Sequence, residues 1–322
     1  MTHPWQSDVL GEPFEVERIP MADDAEGPVV AALVRRRSSS DTPPRAVLHV
    51  HGFNDYFFHT DYARWWDERG YAFHALDLRK YGRALLDHQT PHFVTSLEEH
   101  FEELDAAWDR ITRREGCAEV VLSAHSTGGL IVPLWVRSRS PAGVRAMVLN
   151  SPWFDLHGAP LLRSLPARAV LDQVGARQPH RAIPRSTNDL YARSLHVNHG
   201  GEWNYDLDWK SPTSRQVFAG WLRAVRRGHS QLHKGLELDV PTLVLSSLRT
   251  SNPTRIEPDL FSTDVVLDVH QIRKWASSIG THVTSIAVPD AMHDIFLSRL
   301  PARERAYREL HRWLACYAEE PQ

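Results

Sequence analysis

The chain has 322 residues, enough to bury a substantial core as one large domain or two small ones. Hydrophobic residues make up 42% and charged residues 24%, an ordinary globular balance, and a formal net charge of -3 gives no electrostatic basis for nucleic-acid binding. The basic runs Arg35–Arg37 and Arg223–Arg227 read as solvated faces. Cys117 and Cys316 do not make a disulfide framework. The N-terminus has no basic start followed by an apolar stretch, and no window approaches the roughly 18 apolar residues that span a bilayer. A soluble, cytoplasmic protein without stable membrane insertion is expected.

In chain order, FEVERIP at 14–20 and VVAALVRRR at 29–37 predict a hairpin or two neighbouring strands, followed by loop chemistry at 38–44. RAVLHVHG at 45–52 is an apolar, β-rich run stopped by Gly52. A short helix over 61–69 carries Trp65 and Trp66 and ends at Gly70, and a strand follows at 71–78. Ser96 and Glu99 form a capping box ahead of Leu97, Phe101, Leu104, Trp108 and Ile111, one face of a helix. A strand at 119–124, a helix over 127–139 and a strand at 144–152 continue the alternation, which implies right-handed crossovers and a parallel sheet.

Between Pro152 and about Gly235 no apolar β run appears, and the stretch predicts an inserted, mostly helical and irregular segment. The rhythm resumes with a strand at 240–248 and a helix N-capped by Asp268, with Ile272, Trp275 or Ala276, and Ile279 inward. A last strand at 282–290 and a final helix with an apolar stripe of Leu310, Trp313, Leu314 and Tyr317 follow.

Residues 119–129, EVVLSAHSTGG, carry the most chemistry. An apolar strand breaks at Ser126 and small residues follow, a relaxed form of G-x-S-x-G with Ala124 for the first glycine. A Ser/Thr helix cap is the alternative reading of these residues. A serine nucleophile needs a base and the base an orienting acid. In an open α/β sheet such groups sit beyond the carboxyl ends of strands. His293 occupies that place after the last strand, as a candidate base or an ordinary loop histidine. The long loop after 240–248 offers Asp264, favoured over Asp268 with its capping duty, and Asp259 as third choice. Oxyanion donors are expected from the amide of Thr127 and, in the His51-Gly52-Phe53 loop, the amide of Phe53.

HVHGFNDY, ALDLRKYGRA, SAHSTGG, VLNSPW and PDAMHDIF occur in this order, and together they resemble the α/β-hydrolase fold family. The branch is that of monoglyceride lipases, lysophospholipases and serine aminopeptidase-like hydrolases. The resemblance spans roughly 14–318 and is weakest over 152–235. It implies a mostly parallel central sheet flanked by helices, with a core of 1–151 and 236–322 and a cap at 152–235. It also implies Ser126 as nucleophile, His293 as base, Asp264 as acid, and the amides of Phe53 and Thr127 as oxyanion hole. Two departures stand out: Ala124 in the elbow, and an acid loop much longer than the usual short turn.

The resemblance implies hydrolysis of a small, lipid-like carboxylic ester, with no cofactor and no nucleic-acid partner. Oligomeric state is not specified. Trp153 and Asn54 are candidate substrate contacts, the tryptophans of the insert serving either a pocket or the cap's own core. His49 and His51 alternate on one strand face, but no compact ligand set adjoins them and no metal is expected. Two other functions fit the fold: an aminopeptidase using Glu202, Asp206 or Asp208 for a substrate ammonium, or a non-catalytic ligand-binding module.

Overall fold

A computed structural model describes residues 5–37, 45–156, 165–184, 189–213 and 215–319. The expected loop over 38–44 lies outside them. The chain opens with β1 (Gln6–Ser7), β2 (Phe14–Asp24) and β3 (Gly27–Arg36), an antiparallel edge. Next come β4 (Arg45–Val50), α1 (Thr60–Asp67), β5 (Tyr71–Asp77), α2 (Phe101–Asp109), β6 (Glu119–His125), α3 (Gly128–Arg139) and β7 (Val144–Asn150). After these lie α4 (Leu165–Arg177), β8 (Ala182–Ile183), α5 (Leu190–Leu195), β9 (Val217–Phe218) and α6 (Ala219–Leu232). The chain closes with β10 (Thr242–Ser247), α7 (Val269–Ala276), β11 (Val283–Val288) and α8 (Leu300–Tyr317).

The main sheet has the order β1-β2-β3-β5-β4-β6-β7-β10-β11. Every pairing from β5 through β11 is parallel, as the alternating strands and helices predict. Its two faces bury separate cores. Leu104, Leu130, Val225 and Ile272 from α2, α3, α6 and α7 pack on one face. Tyr62, Trp66, Leu310 and Trp313 from α1 and α8 pack on the other. This double burial explains why β6 reads as an almost unbroken apolar run.

Local signals also hold. Ser96 and Glu99 make the reciprocal capping box, although one 3₁₀ turn, Leu97–His100, precedes α2. The helix then loosens into a π turn at Arg110–Arg114. Residues 152–235 contain one element the sequence does not announce, a two-stranded antiparallel pair of β8 with β9. Two residues per strand are too short for a periodic signal. Among the described residues no helix is long and apolar enough to cross a membrane.

Strand order puts the end of β4 between β5 and β6, where the chain leaves the sheet in opposite directions. Val50 pairs with Ala124, so His51-Gly52-Phe53 and His125-Ser126-Thr127 emerge side by side. The loop after β4 is anchored at its far end by a buried ion-pair set. Asp77 accepts the Phe57 amide at 3.0 Å, and Arg83 donates to the Phe57 carbonyl at 3.0 Å while pairing with Asp77 at 2.8 Å. Asp8, from the turn before β2, holds the other side of the guanidinium. Removing that guanidinium strands two buried carboxylates. Arg83→Met is expected to cost about 3–5 kcal/mol of unfolding free energy, measured by urea denaturation.

Candidate active site

Ser126 sits at φ 49°, a left-handed conformation that costs a non-glycine residue energy. Its surroundings enforce it. The Ser126 amide donates to the Asn150 carbonyl at 3.0 Å, and the Trp153 amide donates to the Ser126 carbonyl at 2.9 Å. A Cβ at Gly128 would lie 2.5 Å from the His51 carbonyl oxygen, and one at Gly52 would lie 2.9 Å from Ser126 Cβ. Both glycines are therefore required by close approach: α3 starts against the end of β4, and the loop after β4 lies over the serine.

His293 Nε2 is 3.1 Å from Ser126 Oγ, and His293 Nδ1 is 2.9 Å from Asp264 Oδ2. An ionised carboxylate only accepts, so Nδ1 carries the proton and the Nε2 lone pair faces the hydroxyl. Asp264 is fully buried, and its other oxygen accepts the Val266 and Leu267 amides at 2.8 and 2.7 Å. Asp268 is turned away and caps α7, accepting the His270 amide at 3.0 Å, and Asp259 lies near the Arg249 guanidinium.

The unusual length of the acid loop has a local explanation. Thr250 and Asp264 form a backbone bridge, with Asp264 N donating to Arg249 O at 2.9 Å and Ser251 N to Asp264 O at 3.1 Å. The excursion between them is closed at its base. Asp264 thus stands next to the end of β10, where a short turn would have put it.

Thr127 follows the serine in the chain and Phe53 follows Gly52, which lies against Ser126 Cβ; among the described residues neither amide has a hydrogen-bond acceptor. Beside them Phe53, Trp221 and Trp153 form an aromatic cluster, with ring centroids 4.4 Å apart for Phe53–Trp221 and 5.7 Å for Trp153–Trp221. Trp203 and Trp209 serve packing: the Trp203 indole donates to Leu297 O, and Trp209 stands edge-on to Tyr56. The Asn54 side chain turns to the backbone of Ser211, which it meets with both its amide nitrogen and its oxygen.

Several participants carry no recognisable signal in the sequence. Asn150 donates from its side chain to Asp294 Oδ1 at 2.7 Å and accepts the Ile295 amide at 3.1 Å, so it ties the His293 loop to the serine turn. A polar residue ending the apolar β7 is the one hint. Tyr191, from α5, stands edge-on to the His293 ring at 5.5 Å and accepts the Asp294 amide. Lys210, from an irregular stretch, pairs with Asp55 at 2.7 Å.

Among the described residues, one group is close enough to share a metal ion: Asp55, His125 and Asp294, all buried. The Lys210 ammonium already supplies positive charge to Asp55. The H-x-H pair on β4 is otherwise engaged: His49 meets Ser123 Oγ, and His51 meets the Gly52 carbonyl and accepts the Leu78 amide.

Burial shapes the titration of this region. Desolvation pushes His125 down to about 4 and His49 to about 3, and lowers His51 and His59. For Asp294 burial acts upward, but His125, His59 and the Asn150 hydrogen bond outweigh it and hold the carboxyl below its usual range.

The fold and this geometry define an α/β hydrolase. A family model described as serine aminopeptidase, S33, matches residues 41–251, and the chain belongs to that family. The match runs from before β4 through β10 and ends ahead of Asp264 and His293. Among solved structures, monoglyceride lipase from Saccharomyces cerevisiae aligns with a TM-score of 0.67 at 16% identity, over 94% of this chain and 96% of that one. Monoacylglycerol lipase from Paleococcus ferrophilus gives 0.62 at 16%, over 94% and 99%. A carboxyl esterase from Bacillus coagulans gives 0.64 at 13%, over 94% and 99%. No curated protein sequence matches the chain.

The buried histidines make stability depend on pH. His125 titrates near 6.5 when unfolded and at about 4 when folded, so between these values the unfolded chain binds more protons. The stability is fully present above about pH 6.5 and is lost as pH falls toward the folded value. His125 alone is expected to remove about 2 kcal/mol between about pH 7.5 and pH 5, measurable by chemical denaturation at both.

Proposed function

We propose that this protein is a serine hydrolase that cleaves small carboxylic esters through an acyl-serine intermediate. The observation that carries the reading is the chain Asp264–His293–Ser126, with hydrogen-bond distances of 2.9 and 3.1 Å, on a left-handed serine turn. Ser126 Oγ attacks the ester carbonyl as His293 Nε2 takes its proton. Asp264 holds the imidazole in the required tautomer and stabilises its charged form. The amides of Phe53 and Thr127 receive the oxyanion; among the described residues neither has another acceptor, which leaves both available for it. The tetrahedral species collapses, the alcohol leaves with the proton from His293, and water then repeats the cycle on the acyl-serine. None of these steps calls for a cofactor.

Residues 152–235 act as the cap over this site, and the Phe53–Trp153–Trp221 cluster suits an apolar acyl group. The fold shared with monoglyceride lipases favours a lipid-like ester. An aminopeptidase needs open carboxylates for the substrate ammonium. Of the three candidates, Glu202 pairs with Arg299 and Arg303 and the Asp206 carboxylate caps the amides of Asp208 and Trp209, which leaves the exposed Asp208 alone and favours the ester reading.

A fluorophosphonate probe should label the wild type and fail on Ser126→Ala; equal labelling of both removes Ser126 from the role. Asp264→Asn is expected to lower kcat by about 10⁴-fold, since it permits the wrong histidine tautomer. Asp268→Asn should change kcat little, because asparagine caps a helix almost as well as aspartate. Initial rates on a series of p-nitrophenyl esters, beside aminoacyl arylamides, measure both and rank ester against amide.

A further inference from the structure

The loop that carries Phe53 is irregular from His51 to His59 and needs something to fix it. Its ends are held by the core. His51 Nε2 accepts the Leu78 amide at 3.1 Å, and Asp77 and Arg83 hold Phe57. Between these anchors, three consecutive side chains bond to one short segment of the insert, residues 206–211. Asn54 donates to the Ser211 carbonyl at 3.0 Å and accepts the Ser211 amide at 3.2 Å. Asp55 pairs with the Lys210 ammonium at 2.7 Å, both side chains being about nine-tenths or more buried. The Tyr56 hydroxyl accepts the Asp206 amide at 2.7 Å, and Trp209 packs edge-on against the Tyr56 ring.

The segment is itself stiffened. Lys210 N donates to Asp206 O, and the Asp206 carboxylate accepts the amides of Asp208 and Trp209. Asn54 has φ 52°, so the peptide following the Phe53 residue turns sharply at the point where Ser211 grips it. A two-point amide contact fixes orientation as well as distance. The Phe53 N–H must point at a developing oxyanion to within a few tenths of an ångström to be effective.

We propose that residues 206–211 form a strap that sets the Phe53 amide, with Asn54 and the Asp55–Lys210 pair as positioning residues for the oxyanion hole. The inference rests on the esterase reading above and extends it. The insert is then part of the catalytic machinery as well as a cover: the oxyanion hole is complete only while the strap is seated. Asn54 serves the loop through Ser211, in place of the substrate contact its position in the sequence suggests.

Asn54→Gly is the informative variant, because it deletes both amide contacts while glycine tolerates the left-handed backbone. A second variant, Asp55→Asn with Lys210→Met, removes the buried pair without leaving either charge alone. The readouts are kcat and KM on a p-nitrophenyl ester, and the inhibition constant of a trifluoromethyl ketone with the same acyl chain. Ser126 Oγ adds to that ketone carbon, its proton passes to His293, and the resulting oxyanion occupies the hole. The expected result is a fall in kcat of about 10- to 100-fold with KM within about 3-fold, and a rise in the ketone inhibition constant matching the loss in kcat/KM. A strap that only stabilises the fold would lower the melting temperature and leave kcat and ketone affinity unchanged, and that overturns the proposal. A wild type that turns over no ester and takes no fluorophosphonate overturns the esterase reading itself. A wild type that does both, with kinetically unaltered variants, overturns the strap alone.

Discussion

The architecture of the site depends on one close approach, between the start of α3 and the end of β4. Ser126 is held in a left-handed conformation that costs on the order of 1–3 kcal/mol, and it persists because the neighbouring backbone leaves no alternative. Gly128 sits against the carbonyls of Val50 and His51, and Gly52 lies against Ser126 Cβ. Without these contacts the serine amide would lose its place under Asn150, and the helix would start at a different angle. The same contacts bring the Phe53 loop over the serine, so one steric constraint assembles the hydroxyl and both flanking amides.

Two groups of side chains of different character lie near the serine. Phe53, Trp153 and Trp221 form an aromatic cluster. His59, His125, Asp294, Asp55 and Lys210 form a buried polar one. Desolvation keeps its histidines neutral at ordinary pH, so the Lys210 ammonium is its principal positive charge, set against two carboxylates. Asn150 connects this cluster to the serine turn: its backbone carbonyl takes the Ser126 amide and its side chain takes Asp294. One residue at the end of β7 therefore bonds to both the histidine loop and the serine turn.

Much of this is legible in the sequence for identifiable reasons. Strand and helix alternation, the capping box at Ser96 and the cap at Asp268 are short-range features, and each appears where the residues predict it. The strand-to-loop boundaries at His51 and Ser126, and the loops after β10 and β11 that carry Asp264 and His293, place those residues at one edge of a parallel sheet before any contact is known. What escapes is long-range side-chain pairing. Asn54 meets Ser211, Asp55 meets Lys210 and Asn150 meets Asp294 across separations of 157, 155 and 144 residues, and no local pattern marks such partners. The short β8–β9 pair escapes because two-residue strands have no period to detect.

The bridge between Thr250 and Asp264 has a consequence for how such proteins diversify. A loop closed at its base by paired backbone transmits little of its own length or sequence to the residue at its foot. The cost of lengthening a closed excursion grows only logarithmically, about 0.6 kcal/mol per doubling. The exposed stretch Thr254, Arg255 and Ile256 is thus a place where surface, charge or a new recognition element can be added while the carboxylate beneath stays in register with its histidine. Leu260 and Phe261, at the other end of the excursion, stay packed against the body of the protein and keep the graft point at the tip.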